Sequence, residues 1–187
     1  MLVQIASGHL DDARRIGQEW RRLLAGLPGD TEYSSQLMAL EGRIALLDQE
    51  YGPAEIKLVQ TSSFGSDLTQ LRLLQGRHDE ALQLAELELV RQGADAPPLS
   101  HAIAQMWLGI VESQAGNYQR GLKLVTESVA FFSAHELRFW QAGAELHLAW
   151  LLAQTGQQDQ AQCLVESALA YGARAFALYL AFWHPHV

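Results

Sequence analysis

Apolar and small residues recur along this chain in one fixed pattern. Leu68, Gly76, Ala81 and Leu84 return as Leu108, Gly116, Gly121 and Leu124, and again as Leu148, Gly156, Ala161 and Leu164, at a constant step of 40 residues. In each copy the Leu precedes the Gly by eight residues, about two helical turns, which sets it on the inner stripe of a first helix. The Gly ends that helix, because glycine enters the left-handed conformation without a Cβ penalty. The small residue five positions on suits a second helix crossing the first closely, and the Leu three later lies on the same face. Each copy therefore reads as a helical hairpin. A self-similar period of this length predicts that the hairpins stack as a solenoid, each covering its neighbour's apolar face, and a solenoid offers surface rather than chemistry.

Extended along the chain, the pattern predicts helices over 9–26, 31–51, 53–62, 66–75, 78–92, 99–115, 118–133, 136–155, 158–172 and 174–183, and no strand. Asp30 or Thr31 is expected to cap the second helix and Ser100 the sixth. Small polar residues and a Gly between Thr61 and Ser66 predict a shortened hairpin with a kink or loop. The expectation is an all-α chain forming a single domain over 1–187. Its clear repeats span 63–97, 98–135 and 136–172, with degenerate repeats in 1–62 and a C-terminal helix over 174–183.

Both ends read as cut. Helix 9–26 looks like the second half of a hairpin, leaving Leu2, Val3 and Ile5 as an uncovered flank that a longer chain or another copy would hide. Phe176, Tyr179, Leu180 and Trp183 fall at i, i+3, i+4 and i+7. That stripe either packs on helix 158–172 as a last core layer or joins two copies in a homodimer.

Residues 108–132, LGIVESQAGNYQRGLKLVTESVAFF, resemble a tetratricopeptide repeat through Leu108-Gly109, Gly116-Asn117-Tyr118 and the small Gly121; residues 144–170 resemble a second. The family's usual period is about 34. The longer step and the Ala/Leu/Gln-rich, lysine-poor style are similar to the tetratricopeptide region of large bacterial transcriptional regulators of the MalT-like or LuxR type. HEAT repeats share the 40-residue period but lack a Gly stop five residues before a small one. The resemblance implies a right-handed α-α superhelix whose first helices line a concave wall. Carried onto this chain, the wall's contact positions are Gln70, Leu73 and Leu74, then Met106, Ile110 and Gln114, then Leu146, Trp150 and Gln154. It lacks the Lys/Arg/Asn cluster by which some members grip a peptide C-terminus. The partner it implies is a protein or peptide, an amphipathic helix above all, with Met supplying adaptable contact and Trp an anchor. The alternative implied by the same regulators is a sensor that holds a small inducer against Gln70, Gln114 and Gln154.

Composition narrows the partners. The chain has 187 residues, 49% hydrophobic, with a net charge of −8 from 21 acids and 13 bases, and the bases form no run beyond Arg14-Arg15 and Arg21-Arg22. Direct nucleic-acid binding is not expected. Residues 31–100 carry 11 of the acids and 5 bases, which reads as solvated helix exterior. No stretch is long and apolar enough for a membrane span, no secretory signal is visible, and the single Cys163 forms no internal disulfide, so a cytoplasmic protein is expected. Cys163 reads as a small core filler.

The chemistry of catalysis is thin, and no catalytic residue, cofactor or metal is expected. His135-Glu136 opens like a zinc-protease motif but Phe139 stands where the second histidine belongs. His184 and His186 lack a neighbouring Cys or acid, and Glu145 and His147 fall on different sides of a helix. His9, His78 and His101 lie at helix edges.

Overall fold

Nine helices follow one another in a computed structural model that describes residues 9–26, 31–61, 65–93 and 96–171, and no strand occurs among them. They are α1 (Leu10–Leu24), α2 (Thr31–Leu47), α3 (Tyr51–Val59), α4 (Gly65–Leu74), α5 (His78–Gln92), α6 (Pro98–Gln114), α7 (Tyr118–Ala134), α8 (Arg138–Gln154) and α9 (Gln158–Tyr171). The chain is all-α, as the periodicity predicts. Phe176, Tyr179 and Trp183, the N-terminal apolar flank and the Asp30 cap lie outside the described residues.

The expected helix stops are where the spacing puts them. Gly76, Gly116 and Gly156 all carry positive φ, at 71°, 89° and 82°. At the end of α6 the amide of Asn117 bonds back to the Glu112 carbonyl at 2.9 Å and that of Gly116 to Ser113 at 3.1 Å. The end of α8 repeats this with Gln157 to Leu152 at 2.8 Å and Gly156 to Ala153 at 3.1 Å. These are Schellman closures, which satisfy carbonyls that a helix end would otherwise leave open.

Two further closures have no glycine, and one of them moves an expected boundary. A helix was expected to run unbroken over 31–51, but α2 ends at Leu47 and α3 starts at Tyr51. Gln49 takes φ 63° there, and the Glu50 amide reaches the Ala45 carbonyl at 2.8 Å. Glu136, at φ 55°, closes α7 in the same way. A left-handed residue bearing a Cβ costs roughly 1–2 kcal/mol. Replacing exposed Glu136 by Gly is therefore expected to raise stability by about 1 kcal/mol, less the entropy glycine returns to the unfolded chain. Chemical denaturation checks this, and a variant less stable than the parent would contradict it.

Ser100 does not cap α6. The helix begins earlier, at Pro98 behind Pro97, because the fixed proline φ is already that of a first helical turn, where a missing N–H costs nothing. Cys163 is exposed rather than a core filler. Ala161 and Ala168 mark the inward side of α9, and two residues on from Ala161 the helix has turned well past a right angle.

The described residues form two compact units, 9–75 and 76–171. In the first, α1 packs on α2, α2 on α3 and α3 on α4. Its interior consists of Ala45, Leu46, Ala54, Leu58 and Leu71, with a second cluster of Ala13, Leu40 and Ile44 under Trp20. In the second unit each of α5 to α9 packs on the next, and α6 also touches α8. The small residues at the predicted crossings, Ala81, Gly121 and Ala161, are all buried, and so are Leu108 and Leu148, while Leu68 is half-buried.

Gly109 and Gly121 mark a close crossing between α6 and α7. A Cβ on Gly121 would lie 2.7 Å from the Gly109 carbonyl oxygen and 2.8 Å from the Ser113 Cβ. Alanine favours helix over glycine by about 1 kcal/mol, yet here the intruding atom meets backbone, which cannot rotate away. Gly121→Ala is expected to destabilise the fold by about 1–3 kcal/mol. A thermal melt with a midpoint at or above the parent's would show that the two helices part freely.

Candidate partner-binding surfaces

The wall positions inferred from the tetratricopeptide resemblance separate by burial. In the first unit, Gln70 is buried and Leu73 and Leu74 are half-buried, with Leu74 packed on the core cluster. In the second unit, Met106 and Ile110 are 0% and 1% exposed, and Leu146 is buried as well. These three present nothing to a partner. Met106 and Ile110 lie inside because α6 is covered by α5, α7 and α8 together, and Leu146 because α8 packs against α6, α7 and α9.

In the second unit, the accessible wall positions lie at the C-terminal ends of α6 and α8. Gln154 is exposed, and Gln114 and Trp150 are half-buried. The Trp150 ring tilts against Tyr118 at a centroid distance of 6.2 Å, and Tyr118 is 40% exposed. Tyr118 starts α7 directly after the Gly116 closure, so the turn itself delivers this ring to the neighbouring α8. The arrangement is an aromatic pair bordered by amides that donate and accept hydrogen bonds, a surface suited to an apolar side chain with a polar backbone beside it.

A second surface lies in the first unit, and sequence reasoning missed it. α1 contributes Arg21, Leu24 and Ala25; α2 contributes Ser34, Leu37, Met38 and Glu41; α3 contributes Pro53, Ile56, Lys57 and Gln60. Together they line an open trough of about 680 Å³. Ile56 on its lip is 65% exposed. Both Arg21 and Lys57 (Nζ 2.7 Å from Oε2) pair with the Glu41 carboxylate. The signal in the sequence is the i, i+3, i+4, i+7 spacing of Ser34, Leu37, Met38 and Glu41 and of Pro53, Ile56, Lys57 and Gln60, in a part of the chain where the 40-residue repeat fades.

Sequence reading also missed the buried charges. Asp67, part of the acidic stretch taken as solvated exterior, is buried and held by Arg43 through four contacts of 2.7 to 3.1 Å. Burial pushes its carboxyl above the ordinary carboxylate range, and Arg43 pulls the other way. Glu112, 1% exposed, accepts a hydrogen bond from the Asn117 amide at 2.7 Å and forms an ion pair with Arg120, also at 2.7 Å. Gln141 donates to Glu145 at 2.7 Å. His147 is buried, and that burial lowers its pKa from 6.5 to about 4. Each carboxylate is engaged by a neighbour, and His147 is neutral at physiological pH, which is the pattern of polar groups built into a core. Among the described residues no group of three or more His, Cys, Asp or Glu is placed to hold a metal. His9, His78 and His101 are exposed at helix edges. No described helix is long and apolar enough to cross a membrane.

The described residues define an all-helical protein. Compared with family models, curated proteins and solved structures, it matches none of them.

Proposed function

We propose that this chain is a protein-interaction scaffold, a tetratricopeptide-like stack of helical hairpins of the kind found in bacterial signal-transduction regulators. Its partner is a protein or peptide segment, and it is not an enzyme. The observation that carries this reading is the recurrence of one local structure at 40-residue steps: left-handed glycines at 76, 116 and 156, and buried small residues at 81, 121 and 161. First helices α6 and α8 also touch one another, as stacked hairpins require. The contact surface is the Tyr118–Trp150 pair with Gln114 and Gln154, and an amphipathic helix laid across it would set an apolar side chain on the rings.

Trp150→Ala combined with Gln154→Lys tests this. Both positions are accessible, so the variant is expected to keep its helical spectrum while losing the partners that the parent captures saturably from the source cell extract. Capture that is unchanged in a folded variant would remove this surface from consideration.

A further inference from the structure

The trough and a helix elsewhere in the chain are complementary. On α5, Gln83, Glu86, Leu87 and Val90 stand at i, i+3, i+4 and i+7 and are all exposed, Leu87 at 63% and Val90 at 76%. This is an apolar stripe with a carboxylate beside it. The seven steps from Gln83 to Val90 rise about 10 Å. The trough walls have the same span, from Ser34 to Glu41 on α2 and from Pro53 to Gln60 on α3.

Charge points the same way. Arg21 and Lys57 share the one carboxylate of Glu41, so that cluster carries a surplus positive charge, and Glu86 would bring a negative one. The trough is an open channel of about 680 Å³, and Ile56 on its lip is 65% exposed. It is shaped to receive two turns of helix.

We propose that copies of this chain associate head to tail, the α5 stripe of one seated in the α1–α2–α3 trough of the next. Leu87 and Val90 pack on Met38 and Ile56, and Glu86 meets Lys57 and Arg21. The contact is heterologous, so each copy retains one free trough and one free stripe for another. A two-turn contact is small, and the association is correspondingly weak and reversible. It shares no residue with the Trp150 surface, so either proposal fails without the other.

Sedimentation equilibrium of the full chain tests it, at physiological salt where a Debye length of about 8 Å screens the general repulsion. The parent's average mass is expected to rise with concentration. Ile56→Lys and the double variant Leu87→Lys/Val90→Lys, at exposed positions and with unchanged circular dichroism, are each expected to remain monomeric alone. Mixed, they are expected to form a one-to-one dimer and stop, because the first retains an intact stripe and the second an intact trough. A parent of constant monomer mass, folded variants that associate like the parent, or a mixture that remains monomeric would each overturn the proposal.

Discussion

Arg43→Ala is expected to cost the fold about 3–5 kcal/mol, enough to unfold a marginal domain. The side chain reaches from α2 to Asp67 in the first turn of α4 and grips both carboxylate oxygens; the two side chains are 14% and 7% exposed. Removing it leaves a buried carboxylate in the first turn of a ten-residue helix, whose N-terminal dipole returns about 1 kcal/mol. Arg43→Lys should recover part of the loss, since one ammonium does not reproduce the two-pronged contact. Replacing both partners by leucine is expected to cost far less than the single alanine, because no charge is then left in the interior. Urea denaturation followed by circular dichroism measures all three. A single-alanine loss below about 1 kcal/mol would mean that water reaches Asp67 freely.

Acidification is expected to destabilise the protein through His147. In the unfolded chain this imidazole takes a proton near 6.5, whereas in the fold burial lowers that value to about 4. Between those limits the unfolded state binds more protons, so stability is full above pH 6.5 and falls as the pH drops. The slope approaches 1.4 kcal/mol per pH unit and the total is about 3 kcal/mol. His147→Leu, of similar volume and without a titrating group, is expected to flatten the profile in this window. Equal slopes for parent and variant would assign the acid sensitivity to other groups.

Helix ends were legible to within a residue where Gly76, Gly116 and Gly156 close a helix. α5 was expected over 78–92 and occupies that span, and α7 and α9 differ by a single residue. The errors have local causes. At Gln49 a residue with no glycine-like signature accepts the left-handed conformation, so the sequence reads straight through a helix end. At Ser100 two prolines start the helix before the polar cap is reached.

The candidate surfaces were legible in part. Of the wall positions that the resemblance implied, Gln154 is exposed and Trp150 half-buried, but Met106 and Ile110 are core, because an apolar residue on a first helix carries the same signature whether it faces a partner or the next helix. Glu112 stands on a helix, Pro98–Gln114, with no other charged residue, which in retrospect marks it as a group needing a buried partner; that partner, Arg120, comes from the following helix.

The amino-acid sequence by itself determined the all-helical class, the order of the elements and the small residues at the crossings, since helix termination and 3.6-residue periodicity act over ten residues or so and need no distant partner. Tertiary structure alone decided which charges go inside and which stripes stay outside. Arg43 and Asp67 are 24 residues apart with no periodic relation. Leu87 and Val90 on one helix, and Ile110 on another, share apolar character and differ only in whether another helix covers them. Burial is a property of the packed neighbours, and no local pattern of residues records it.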